Sequence, residues 1–337
     1  MPRTHPPTRT KLEDVALLAG VSTATASRVL TGSAQVKPET RRQVEKAITE
    51  LGYVRSAARA AARRAGSIAL VVCEHNLRMF SDPFFARLMQ GVNAAIAPAD
   101  MQLILISMDS VDECWRCVRY LRSGHVDGAL FVGLHGQLPM DVREVGVPVV
   151  FVGRPIHDAE EASYVDADNA GGAEAAVRYM LAAGRRAVAT IAGPPDMAVG
   201  LDRLSGYRKA LAETDPGRDD LVAYGDFSAA SAEHAVHRLL DRRPDTDAVF
   251  ATSDLMAAGA LRALRRIGRR VPCDVAVIGF DDAPLARHTC PPLTTVRQPV
   301  EDLGARAVEE LLALMGGGAG SRRRKVLATE LVVRSSA

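Results

Sequence analysis

At 337 residues the chain is too long for a single hydrophobic core, and its length predicts two or three domains. Apolar residues make up 47% and charged residues 24%, the ordinary balance of a soluble globular protein. No apolar run approaches the ~18–20 residues of a membrane span, and the opening "MPRTHPPTRT" lacks the apolar stretch of a secretory signal, so a cytoplasmic protein is expected. The net charge of +2 conceals an asymmetry. Residues 1–65 hold 12 Lys or Arg against 5 Asp or Glu, a balance of +7, so the remainder sums to −5. A basic module on an acidic body is the electrostatic footprint of a nucleic-acid binder.

Thr10 and Glu13 make a T-x-x-E capping box ahead of a first helix whose apolar face is Leu12, Val15, Ala16 and Ala19. Gly20 ends that helix, Val21 can enter the core, and Ser22 can cap a second helix from Thr23 to Leu30. Two helices joined by about three residues with a glycine in the turn predict a helix-turn-helix, whose second helix starts in the DNA major groove. On that helix Ala26, Val29 and Leu30 can face inward, leaving Thr23, Ala24, Thr25, Ser27 and Arg28 outside. An arginine can read guanine bidentately, and small residues and threonine methyls can meet a thymine methyl. The hydroxyls of Ser22, Thr25 and Ser27 suit phosphate oxygens. A third helix begins at Pro38, carries the stripe Val44, Ala47, Ile48 and Leu51, and stops at Gly52.

The stretch "LEDVALLAGVSTATASRVLTGSAQVKPETRRQVEKAITELGY" resembles the headpiece of the LacI/GalR family of transcription regulators, and the resemblance continues through the rest of the chain. It implies residues 1–9 as a disordered basic arm, 10–53 as the DNA-binding headpiece, 54–65 as a hinge and 66–337 as the effector-binding and dimerisation core. The hinge, "VRSAARAAARR", is helix-prone by propensity yet too short to be stable alone. In the family it folds on operator DNA and wedges a leucine into the minor groove, kinking the duplex. This chain departs from that pattern. Ala61 or Ala62 stands at the leucine's place, and Arg55 replaces the proline that usually precedes the hinge. Arg55, Arg59, Arg63 and Arg64 could compensate through phosphate contacts; a plain basic linker is the alternative.

From Ile68 onward short apolar runs alternate with helical stretches. "SIALVV" (67–72), "MQLILIS" (101–107), "GALFV" (128–132) and "VPVVFV" (147–152) suit buried parallel strands, and a second set follows in "VATIAG" (188–193), "DAVFATSD" (247–254) and "VAVIGFDD" (275–282). Two successive α/β sets predict two doubly wound lobes with a cleft at the carboxyl ends of the strands. The resemblance implies a periplasmic-binding-protein-like core in which the chain crosses between lobes three times. The crossings are expected near Ser163, Pro292–Thr294 and Val326, giving lobe 1 about 66–162 and 295–326 and lobe 2 about 163–294 and 327–337. "GGGAGSRRRK" (316–325) reads as a loop before a final strand "VLATELVV". Cys114 and Cys117 in "ECWRCV" share one helix face, and with no second pair to complete a zinc site they read as buried rather than redox-active or metal-binding.

Cleft residues follow from the resemblance. Phe84 and Phe85 match aromatics that stack on effectors, with one of the two expected in the core and Asp82 as the nearest polar candidate. Arg203 matches an arginine that holds effector oxygens, Phe227 an aromatic that covers the ligand, and Asp281 a carboxylate that accepts hydroxyl hydrogen bonds. Ser253 is expected in the cleft, Asp254 as a helix cap and Asp282 as structural. Relatives with an anionic corepressor carry a further arginine at the place of Met197; apolar Met197 and Val199 here favour a neutral polyol. "FVGRP", "SYVDADN" and "IAGPPDM" resemble regulators of plant-oligosaccharide use, including cellobiose-type repressors.

No H-E-x-x-H, G-x-S-x-G or Walker loop occurs, so no enzymatic chemistry, metal or cofactor is expected. The reading is a homodimeric repressor, released from a pseudo-palindromic operator by a neutral di- or oligosaccharide. Its alternatives are a corepressor-dependent regulator answering to a nucleoside or other metabolite, and a sugar-binding enzyme with an appended head.

Overall fold

The computed structural model describes residues 12–30, 36–51, 65–136, 145–213, 221–317 and 322–337. The chain divides into two compact units, residues 1–64 and 65–337.

In the first unit α1 (Leu12–Leu18), α2 (Thr23–Leu30) and α3 (Pro38–Glu50) enclose a small core of Val15, Ala16, Ala26, Val29, Val44 and Ala47. The α1–α2 turn closes where Gly20 takes φ +65°, a left-handed conformation that costs glycine nothing. Val21 N–H then donates back to the Ala16 carbonyl at 3.0 Å, and Val21 packs against the core. Thr10 of the expected capping box, the hinge and the N-terminal arm lie outside the described residues.

The second unit holds two six-stranded sheets. Its strands are β1 (Ser67–Val72), β2 (Gln102–Ser107), β3 (Gly128–Val132), β4 (Val149–Val152), β5 (Tyr164–Ala167), β6 (Val188–Ala192), β7 (Val222–Tyr224), β8 (Ala248–Ala251), β9 (Ala276–Asp281), β10 (Thr294–Arg297), β11 (Arg324–Leu327) and β12 (Glu330–Val332). The first sheet runs β11-β5-β4-β3-β1-β2 and is parallel throughout; the second runs β12-β10-β9-β8-β6-β7, with β12 alone antiparallel. The central strands are apolar on both faces because both faces are covered. In β1, Ile68, Leu70 and Val72 enter one core while Ala69 and Val71 enter the core on the other side. The same two-residue alternation divides β6, with Ala189 and Ile191 on one face and Val188 and Ala192 on the other.

The helices that cover the sheets and bear on the cleft are α4 (Asn76–Ser81), α5 (Pro83–Ile96), α6 (Val111–Arg122), α7 (Asn169–Ala182), α8 (Ala198–Ala212), α9 (Ala229–Arg242), α10 (Asp254–Arg266) and α11 (Val300–Met315). Cys114 and Cys117 lie on the buried face of α6, and burial pushes the Cys117 thiol up to about 11, which keeps it protonated.

The lobe boundaries differ from those read in the sequence. β5 pairs with β4 and β11 in the first sheet, so the first crossing falls at Asp168 rather than near Ser163. β10 pairs with β9 and β12 in the second sheet, so the second crossing falls at 298–299, after the strand, rather than at 292–294. The third lies at 328–329 and splits "VLATELVV" into β11 and β12, one in each sheet. The reason is common to all three. A strand's backbone groups are satisfied only within its sheet, so the chain leaves a lobe at a strand's carboxyl end. The helix α11, which follows the second crossing, packs Val300, Leu303 and Ala307 into the first lobe's core beside Leu88 and Val92 of α5.

Candidate functional site

On α2, Ser22 is the cap: its Oγ accepts from Thr25 N–H at 3.1 Å and bonds the Thr25 hydroxyl at 2.8 Å. Thr23, Ala24 and Arg28 are exposed, Thr25 and Ser27 are half-buried, and Ala26 and Val29 are in the core. The exposed face is thus small-residue and hydroxylated, with an arginine in the last turn. Arg55, Arg59, Ala61 and Ala62 lie outside the described residues.

In the second unit, Asp82, Phe84, Phe85, Met197, Val199, Arg203, Phe227, Ser253 and Asp281 all line one cleft. The second lobe contributes a rigid wall. Arg203, on α8, is 3% exposed. It donates from Nε to Asn169 Oδ1 at 3.0 Å and from Nη1 to the Thr252 carbonyl at 2.6 Å and Asp281 Oδ1 at 3.3 Å, with Cζ 3.6 Å from the Phe280 ring centre. Asp281 Oδ1 also accepts from Gln298 Nε2 at 2.6 Å. Burial pushes the Asp281 carboxyl up to about 6, with Arg203 the largest influence the other way. Asp281 takes φ 116° and Asp282 φ 48° at the end of β9, a strained bend that costs roughly 1–3 kcal/mol per residue.

That bend is held from behind. Asp254, fully buried, accepts from Ala283 N–H at 2.7 Å and from the Thr295 hydroxyl at 2.5 Å. Ser253 lines the cleft as expected, but the cap of α10 is also Ser253, accepting from Met256 N–H at 3.2 Å, and Asp254 is a buried anchor instead of the cap. Asp282 is structural, bonded to Arg297 at 2.8 Å and Arg334 at 2.5 Å. Phe227 adopts φ +66° and lies against Gly193, where a side chain would run into the ring.

The first lobe's wall is less tightly bonded. Asp82 caps α5 through Phe84 N–H at 3.0 Å, and burial raises its carboxyl. Phe85 is core and Phe84 half-buried, their rings edge-to-face with centres 5.3 Å apart. Residues not singled out in the sequence complete the cleft: Arg78, Arg154, Asp166, Asn169 and Gln298. Arg78 pairs with the buried Glu74, its Cζ is 4.6 Å from the Phe227 ring centre, and its Nε is buried with no hydrogen-bond partner among the described residues. Arg154 Nη2 bonds both oxygens of Asp202 at 2.6 and 2.8 Å across the lobes. Asp166 accepts from Arg154 N–H at 3.1 Å, Ala167 N–H at 2.8 Å and Asn169 Nδ2 at 3.0 Å, and burial raises its carboxyl. The single arginine expected is thus three, facing three carboxylates: Arg78, Arg154 and Arg203 with Asp82, Asp166 and Asp281. The signal for the missed residues was the carboxyl-end rule. Asp166, Asn169 and Gln298 sit at the ends of β5 and β10, the two strands assigned to the wrong lobe.

Among the described residues no group of three or more His, Cys, Asp and Glu is placed to hold a metal ion, and no helix is long and apolar enough to cross a membrane. The family model "Bacterial regulatory proteins, lacI family" matches residues 11–56, and "Periplasmic binding protein-like domain" matches residues 177–337. The HTH-type transcriptional regulator CelR of Thermobifida fusca is 47% identical over 97% of this chain and 98% of its own. The transcriptional repressor CytR of Escherichia coli strain K12 is 33% identical over 98% and 96%. A solved structure described as a CelR–cellobiose complex superposes with a TM-score of 0.79 at 46% identity, covering 98% of this chain and all of that one. The headpiece, the two-lobed core and these full-length relatives agree: the chain belongs to the LacI family of bacterial transcription regulators, which are DNA-binding proteins and not enzymes.

Proposed function

We propose that this protein is a cytoplasmic homodimeric repressor of sugar-utilisation genes, released from a pseudo-palindromic operator when a neutral disaccharide of the cellobiose class enters the cleft. The observation that carries the ligand class is the cleft's charge balance. Its guanidinium and carboxylate groups are equal in number, and the apolar faces are Phe84 and Phe227. A sugar offers apolar C–H faces to aromatic rings and hydroxyl rims to charged groups that stay neutralised by one another. Likeness to a cellobiose-bound relative supports the same class. Asp281 and Gln298 take ligand hydroxyls, Arg203 fixes Asp281, and Arg78 offers its unused Nε donor.

Each headpiece reads one half-site. Thr23, Ala24 and Arg28 meet base edges, while the arginines of the hinge meet phosphates. Ligand draws the lobes together, moves the hinge ends and removes their support, so DNA affinity falls. Operator must then weaken ligand binding by the same factor.

Fluorescence anisotropy on the protein's own promoter region at fixed salt tests this, with cellobiose, other neutral mono- and disaccharides, and purines as controls. Release by cellobiose alone supports the proposal. Tightening by any compound makes the protein corepressor-dependent and reverses the hinge argument. In the same assay Arg28→Ala should lower the preference for operator over random DNA by about 1–3 kcal/mol, with sugar binding intact. Unchanged preference would remove Arg28 from base reading.

A further inference from the structure

Among the polar bridges that join the lobes around the cleft, three use a charged or titratable side chain to reach an oxygen of the other lobe. Arg154 reaches Asp202, Arg87 Nη1 reaches the Asp281 carbonyl at 3.2 Å, and His135 reaches Asp196. The third differs from the others in kind. His135 follows β3 at its carboxyl end and Asp196 precedes α8 in the other lobe. The ring's Nδ1 lies 2.9 Å from Asp196 Oδ2, and its Nε2 lies 3.1 Å from Oε1 of Glu74, which follows β1. Next to it, Gly136 N–H donates to the Asp196 carbonyl at 2.6 Å.

A neutral imidazole has one donor and one acceptor nitrogen, whereas an ionised carboxylate only accepts. Facing a carboxylate oxygen at both nitrogens, His135 makes both bonds only as the doubly protonated cation. We propose that His135 is a positioning residue of the regulatory site, an imidazolium clasp that holds the two lobes together beside the cleft and lets go when it loses its proton.

Among the described residues the charged groups around it are few. Glu74 and Asp196 face the ring, and Arg78 of α4 reaches it only through Glu74, whose oxygen it shares. Both carboxylates favour the cation, Glu74 more strongly, so the imidazole holds its proton above the usual histidine range despite partial burial. The sign follows directly. If Asp196 leaves when the lobes part, the imidazolium is better stabilised with the lobes together. Protonation then favours the joined state, and that preference is lost as pH rises through the clasped value. Arg154 and Arg87 keep their charges throughout, so the histidine bridge alone of these three is tuned near neutral pH. Resting on the reading of the cleft as the effector site, this makes effector affinity fall as pH rises.

Two measurements on the full chain test the clasp. In ligand-free protein, the NMR titration of His135, assigned by its loss in His135→Gln, should have its midpoint above ~6.5, and Asp196→Asn should lower it. By calorimetry, cellobiose affinity of the wild type should weaken through that midpoint, by up to about tenfold per pH unit of difference between clasped and open states. His135→Gln should lack that fall and keep only the slope that the cleft carboxylates give to both proteins. The cleft carboxylates titrate alike in both proteins and cancel, and circular dichroism checks that each variant is folded. An ordinary midpoint, a midpoint indifferent to Asp196→Asn, or parallel affinity curves would overturn the clasp. Should cellobiose bind neither protein at any pH, the proposed ligand fails, while the His135 titration alone upholds or overturns the clasp.

Discussion

The two walls of the cleft are built on different principles. On the second-lobe side Arg203, Asp281, Asn169, Thr252 and Gln298 satisfy one another in a buried network, and the strained bend at Asp281 is tied down by Asp254. On the first-lobe side Phe84 and Arg78 are half-buried, and Arg78 is paired with the buried Glu74 while its Nε is uncommitted. A buried network that is fully satisfied holds its geometry, whereas one missing a member leaves buried polar groups unpaired. The second-lobe wall therefore fixes where ligand oxygens sit, and the first-lobe wall adapts to what enters. Substitutions should separate the two: on the network side they cost stability and binding together, and on the other side binding alone.

The largest effect is expected from Arg203→Met. It removes a buried cation on which Asp281 and Asn169 depend, and leaves the Asp281 carboxylate without its main neutralising partner. Breaking a buried pair in this way costs about 3–5 kcal/mol. Urea denaturation should show that loss together with loss of sugar response. A variant within about 1 kcal/mol of wild type would mean that the network is not cooperative and that the contrast between the walls is false.

Asp281→Asn sharpens the same point through pH. The carboxyl sits at about 6 in the folded protein against an ordinary 3.8, so the native state holds this proton more tightly than the unfolded chain. Stability from this group is therefore present at low pH and falls as pH rises between roughly 3.8 and 6, by about 3 kcal/mol. Asp281→Asn should flatten that segment of the stability curve relative to wild type, keep operator binding and abolish release by sugar. Identical pH slopes would show Asp281 to be solvated.

How far the sequence disclosed this site depends on which signal carried it. The headpiece was legible because its period is local: Val15, Ala16, Ala26 and Val44 fall at helical spacing and do meet in one core. Strands that are apolar almost throughout, such as β1 and β3, were legible for the same reason. β5 ("YVDA") and β10 ("TTVR") hold strand-favouring Tyr, Val and Thr but are short and half polar, so they give no apolar run to read, and their sheet membership is decided by partners far along the chain. Missing them hid Asp166, Asn169 and Gln298. Arg78 was hidden differently, since it lies on a six-residue helix with no periodicity to read and gains its meaning only from Phe227 and Glu74, brought to it by the fold.

The smallest effect, and the one that isolates the adaptable wall, is Arg78→Lys. Lysine preserves the positive charge beside the buried Glu74, so no carboxylate is stranded and stability should stay within about 0.5 kcal/mol of wild type. It cannot reproduce the planar guanidinium packed on Phe227 or the Nε donor, because an ammonium is a compact point charge on a flexible stem. If ligand supplies the oxygen that Nε lacks, one charge-assisted hydrogen bond is lost, worth about 1.5–3 kcal/mol. Calorimetry with cellobiose should then show binding weaker by about tenfold to a hundredfold, with thermal unfolding unmoved. Unchanged affinity would leave the Arg78 Nε outside recognition. A matching fall in unfolding temperature would place Arg78 with Arg203 in the load of the fold and remove the distinction between the two walls.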